Sequence, residues 1–65
     1  VKLIVNGQVC DVSAKSLEML LFELGFEGEW LATAVNSELV RATERNSHSL
    51  KNGDRIEILT PKQGG

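Results

Sequence analysis

Sixty-five residues allow one domain, and a chain this short buries only roughly 60% of the surface its unfolded form exposes. That leaves too little chain to wall a large enclosed pocket, which disfavours a self-contained enzyme and favours a binding module or carrier. Apolar residues make up 42% and charged residues 25%, with a formal net charge of −2, so the composition is that of a globular domain and gives no electrostatic case for binding nucleic acid or an anionic membrane.

The chain opens with "KLIVNGQVCDV", two strand-like runs flanking Asn6-Gly7. Both turn residues tolerate positive φ, which makes the pair a strong hairpin signal. Alternation puts Val1, Leu3 and Val5 on one face, read as core, and Lys2 and Ile4 on the other. "SLEMLLFELG" changes period: Leu17, Leu20, Leu21 and Leu24 form one helical stripe. Ser16 is placed to cap its start, with Glu18 in the first turn. Gly25 is placed to end it in a left-handed turn. Met19 and Phe22 lie off the stripe and are expected to be partly exposed.

In the connector "FEGEW", Phe26 and Trp30 either close the core's edge or sit at an interface, with core favoured for Trp30; "LATAVN" is then a third strand. Leu31, Thr33 and Val35 share one of its faces, and Ala32 and Ala34 the other. Asn36-Ser37 turns into a short fourth strand at "ELV". "RATERNSHS" shows no period and reads as loop, and Asn52-Gly53 is a second tight turn. "RIEILT" is the last strand, with Ile56 and Ile58 inward and Glu57 and Leu59 outward, and Pro61 ends it. The first and last strands carry the densest apolar runs and are expected to be central, adjacent and parallel. A helix after the first hairpin must cover the sheet's apolar face. The expected fold class is therefore α+β, a mixed sheet of four to five strands packed on one helix. Residues 1–65 form one domain, of which 60–65 are a flexible tail.

The single cysteine, Cys10, excludes an internal disulfide, which with the lack of metal ligands suggests a reducing compartment. No apolar run approaches the roughly 18–20 residues of a membrane span, and no signal peptide is visible; the expected location is the cytoplasm. As a nucleophile Cys10 is poorly placed, since a strand offers neither a helix amino terminus nor a nearby base to lower its pKa. One Cys and one His are too few for a metal site, so none is expected. Asn6-Gly7 and Lys51–Asp54 have turn chemistry rather than the glycines and following helix of a phosphate loop. Charge is uneven: five glutamates and no Lys or Arg lie between Glu18 and Val40, and the balance turns basic from Arg45 onward. This is either a solvated surface or an acidic face that docks on a basic partner. By alternation Ile4, Ala32, Ala34 and Leu59 share the face the helix leaves uncovered, an apolar strip suited to partner docking.

The final Gly64-Gly65 suits a specific chemistry. A terminal carboxylate is a poor electrophile until it is coupled to ATP as an acyl-adenylate. Residues without side chains let it enter the narrow channel of another protein. Hairpin, helix, "AVNSELV", "KNGDRIEIL" and the closing Gly-Gly together resemble the ThiS-type sulfur carriers of thiamine biosynthesis. The likeness covers essentially the whole chain. It implies the ubiquitin-like β-grasp fold and a carrier that is not itself an enzyme. A ubiquitin-activating-type partner would use ATP to adenylate Gly65, the carrier binding no cofactor. Sulfur from a donor such as a cysteine desulfurase would leave a thiocarboxylate. Thiazole synthase would receive that sulfur, with Gly64 giving access. A molybdopterin-synthase-type small subunit and a ubiquitin-like protein modifier are the alternatives. The lone Pro61 before Lys62-Gln63, in place of paired prolines, disfavours the first of these.

Overall fold

The computed structural model describes residues 1–26 and 30–60. Strands β1 (Lys2–Val5) and β2 (Gln8–Asp11) form an antiparallel hairpin that pairs Leu3 with Cys10 and Ile4 with Val9. Asn6 and Gly7 turn it with φ of 49° and 84°, the left-handed pair that matches strand twist. Helix α1 (Leu17–Leu24) follows. The Ser16 hydroxyl accepts from the Met19 N–H at 3.2 Å. At the other end Gly25, at φ 84°, closes the helix as its sequence position predicts.

Strands β3 (Ala32–Val35) and β4 (Glu38–Val40) make a second hairpin through Asn36 and Ser37. Strand β5 (Arg55–Leu59) closes a sheet of order β2-β1-β5-β3-β4. β5 runs parallel to β1 and antiparallel to β3, so the two apolar runs at the ends of the sequence are neighbours in the middle of the sheet. Leu3, Val35, Ile56 and Ile58 project from it onto Leu17, Leu20 and Leu21 of α1, forming one core.

Asparagines tie β5 down at both ends. At its start, the Asn36 N–H donates to the Arg55 carbonyl at 2.7 Å and its side-chain oxygen accepts from the Arg55 N–H at 3.0 Å. Farther along, β1 has already turned away at Asn6. The Asn6 amide takes over its role, accepting from the Ile58 N–H at 2.9 Å and donating to the Ile58 carbonyl at 3.2 Å. Asn52 accepts from the Lys2 N–H at 2.8 Å. These residues were legible as turn formers; their side chains also complete the ladder.

Four expectations change. The segment read as loop contains a 3-10 helix, Ala42–Ser47. Its Arg45, counted with the basic surface, is buried: Nη2 donates to the Leu31 carbonyl at 2.6 Å and Nε to the Thr33 hydroxyl at 3.2 Å. Thr33 in turn donates to the Val40 carbonyl at 2.8 Å, so a polar chain joins the 3-10 helix to both strands of the second hairpin. Trp30, read as core, is 82% exposed, because Leu31 beside it takes the inward position. Val1 precedes β1 and is exposed, leaving Leu3 and Val5 as the inward pair.

Candidate functional site

The sequence points to two linked features, the tail and the uncovered sheet face. Gly64 and Gly65, with Pro61, lie outside the described residues. Their approach is described as far as Thr60. β5, the strand that precedes them, is the central strand of the sheet and is bonded on both sides. Its Ile56 and Ile58 are locked in the core at 1% and 4% exposure. The chain therefore reaches the tail from its most firmly held strand, with the Asn6 amide on Ile58 as the last bond from β1's side.

The outer face is arranged as alternation predicts. Ile4 and Ala34 are half-buried, while Ala32 and Leu59 are exposed. The register sets Ala32 opposite Leu59 and Ala34 opposite Glu57, so these residues share one surface. Two further residues belong to it. Val9 pairs with Ile4 and Leu39 with Ala34, and both are more than two-thirds exposed. The hairpin turns carried the signal for them: once Asn6-Gly7 and Asn36-Ser37 fix the registers, Val9 and Leu39 must face outward. The result is an apolar strip across all five strands, crossed by Arg55 and Glu57.

Leu59 borders both hollows in this face. A small one of about 80 Å³ is lined by Ala32, Ala34, Leu39 and Glu57. A larger one of about 350 Å³ is lined by Ile4, Asn6, Gly7, Arg55 and Glu57. Both are open, so they suit a protein partner's side chains better than an enclosed substrate. The alanines keep the surface low, and Leu59 stands out from it at 68% exposure.

Catalytic and metal chemistry find little support among the described residues. No group of three His, Cys, Asp or Glu could hold a metal ion. Cys10 is half-buried in β2, and its thiol faces the Gln8 carbonyl at 3.7 Å. No helix there is long and apolar enough to cross a membrane. One titratable group among the described residues is clearly perturbed. Burial by itself raises the Asp54 carboxyl, but the Asn36 amide, the Lys51 N–H and the positive charges of Lys51 and His48 outweigh it and hold it below its ordinary value of 3.8. Its oxygens accept from Asn36 Nδ2 at 3.0 Å and the Lys51 N–H at 2.9 Å. This carboxylate orders the turn into β5 and plays a structural part.

Comparison with known proteins bears on the whole of this arrangement. The model of the ThiS family matches residues 3–65. The sulfur carrier protein ThiS of Thermus thermophilus is 31% identical over 61 residues, covering 94% of this chain and 95% of that protein. The crystal structure of the thiamine biosynthesis protein ThiS from Geobacter metallireducens superposes with a TM-score of 0.84 at 26% identity, over 100% of both chains. The solution structure of a thiamine biosynthesis protein from the same organism gives 0.83 at 26%, covering 100% of this chain and 88% of that one.

Proposed function

Because the chain belongs to the ThiS family, with the ubiquitin-like β-grasp fold, we infer that its working part is its own carboxyl terminus. The protein is a sulfur carrier of thiamine biosynthesis. In this reading an oxygen of the Gly65 carboxylate attacks the α-phosphorus of ATP in the active site of an adenylating partner, and pyrophosphate leaves. The acyl-adenylate has what the carboxylate lacked, a good leaving group. The terminal sulfur of a persulfide on a donor such as a cysteine desulfurase attacks the carbonyl carbon and AMP departs; a thiol then attacks the S–S bond of the resulting acyl disulfide, forming a disulfide with the donor and releasing the terminal thiocarboxylate. Thiazole synthase takes the sulfur from it.

The carrier's contributions are placement and access. ATP belongs to the partner's chemistry, and no catalytic step falls to this chain. Ile4, Ala32, Ala34 and Leu59, joined by Val9 and Leu39, dock the partner, while Gly64 and Gly65 enter its channel without side chains to obstruct them. Docking must offset the ordering entropy of a glycine tail, and a broad apolar strip beside the tail's base is suited to that. The reactions belong in the cytoplasm, where ATP and reduced sulfur donors are at hand.

The observation that carries the reading is the family match over residues 3–65, Gly64 and Gly65 included, on a fold whose central strand precedes them. Mass spectrometry of the protein isolated from cells tests it. The expected species is heavier than the carboxylate form by the difference between sulfur and oxygen, with the change mapped to Gly65. An isopeptide conjugate to other proteins would instead favour a protein modifier.

A further inference from the structure

Trp30 is the chain's one tryptophan, and 82% of its surface is exposed. A single exposed valine or leucine is ordinary, but tryptophan is highly buried on average and carries roughly 150–250 Å² of surface to bury. Its place in the fold gives the exposure a use. β3 runs antiparallel to β5, with Ala32 opposite Leu59, so the start of β3 lies at the end of the sheet where the chain departs toward Gly65. Trp30 precedes Ala32 by two residues, and the buried Leu31 lies between them. Trp30, Ala32 and Leu59, all exposed, therefore gather at one corner, where the docking strip meets the base of the tail. Phe22 is as bare, at 85%, but it belongs to α1, on the other side of the sheet from the strip.

We propose that Trp30 is the anchor of the interface with the adenylating partner, its indole seated in an apolar recess beside the mouth of the channel that admits the tail, an assignment that rests on the carrier reading. Strip and tail must engage one enzyme at the same time. An enzyme that holds Ala32 and Leu59 and takes in the chain beyond Thr60 covers the corner between them, and Trp30 stands in that corner. Tryptophan is among the residue types that most often dominate an interface, through a large rigid side chain that is fully desolvated on docking. The rest of the strip offers alanines and aliphatic side chains, so the indole is its largest apolar group.

A lone tryptophan can report on itself. Full-length carrier labelled with 5-fluorotryptophan gives one fluorine resonance, followed by NMR as the unlabelled adenylating enzyme is added. The expected result is a resonance that shifts and loses its sensitivity to heavy water on binding, and that does not move with carrier concentration alone. Trp30→Ala should melt like the parent and raise the carrier's KM in ATP–pyrophosphate exchange by at least about tenfold, with kcat unchanged. Trp30→Phe should recover most of that loss. Phe22→Ala removes an equally exposed aromatic from the far side and should leave KM at the parental value. The proposal is overturned if the bound resonance stays solvent-sensitive, if Trp30→Ala keeps the parental KM, or if Phe22→Ala raises KM as much. A resonance that shifts with carrier concentration alone also overturns it, making the indole a contact between copies. Exchange by the parent with an unmoved resonance removes this assignment and leaves the carrier reading standing; no exchange by the parent removes both.

Discussion

Replacing Asn6 separates two jobs that one residue performs. Its backbone holds φ at 49°, and its side chain makes two hydrogen bonds to Ile58, at 2.9 and 3.2 Å. Asn6→Gly keeps the left-handed backbone at no steric cost but deletes both bonds. At a net 0.5–1.5 kcal/mol for each, the loss should be about 1–3 kcal/mol. Asn6→Ala deletes the same bonds and adds roughly 1–2 kcal/mol for a Cβ in the left-handed region. A chain of this length has about 3–10 kcal/mol in total, so the alanine protein should be close to unfolding in mild urea. Urea melts of the two variants give the energies, and amide hydrogen exchange at Ile58 reports where the loss falls. In the glycine protein, Ile58 exchange should accelerate more than that of Val35, whose neighbours are untouched. A glycine variant as stable as the parent, with Ile58 protection intact, would refute the claim that the Asn6 side chain completes the ladder.

Leu20 is fully buried under the sheet, and Leu20→Ala should cost about 2–5 kcal/mol in a denaturant melt; an unchanged midpoint would reject its place in the core. Asp54 has its folded pKa below the ordinary 3.8, so its stabilisation is complete above that value and is lost as pH falls through the lower folded value. Melts from about pH 6 to pH 2 should show Asp54→Asn less stable than the parent at the upper end, with the difference shrinking below about pH 4; a gap that stays constant would contradict the assignment. Leu59 is 68% exposed, so Leu59→Glu should leave the melt nearly unchanged and weaken binding to the adenylating partner by at least about tenfold, as loss of a buried anchor would; equal affinity in calorimetry would remove the strip from the interface.

Much of this molecule could be read from its residues, because each legible feature is local or periodic. Asn6-Gly7 and Asn36-Ser37 announce turns by their chemistry. Ser16 and Gly25 bracket the leucine stripe. Ile56 and Ile58 alternate with Glu57 and Leu59 and so reveal both faces of β5. The failures share a cause as well. Arg45 is charged, and nothing in its neighbourhood signals that the Leu31 carbonyl and the Thr33 hydroxyl will receive its guanidinium from across the fold. The 3-10 helix that carries it has no apolar stripe, so its period was invisible. Trp30 was assigned by residue type, and a large aromatic next to an inward leucine need not follow it inside. Of the site, the outer strip was legible by alternation in β1, β3 and β5. Val9 and Leu39 were missed because their faces depend on hairpin register, a relation between strands.

The central claim is that Gly65 is the residue that is activated, and it is tested by moving the carboxylate. Deleting Gly65 draws it back by roughly 3.5 Å; adding one alanine after Gly65 pushes it forward and gives it a side chain. Neither change touches the core, so both variants should melt like the parent. Misplacement of about an ångström can cost on the order of a hundredfold in rate. Partner-dependent exchange of labelled pyrophosphate into ATP isolates the adenylation step. The account predicts that exchange falls by at least about a hundredfold for both variants; exchange at the parental rate with the alanine-extended protein would contradict it.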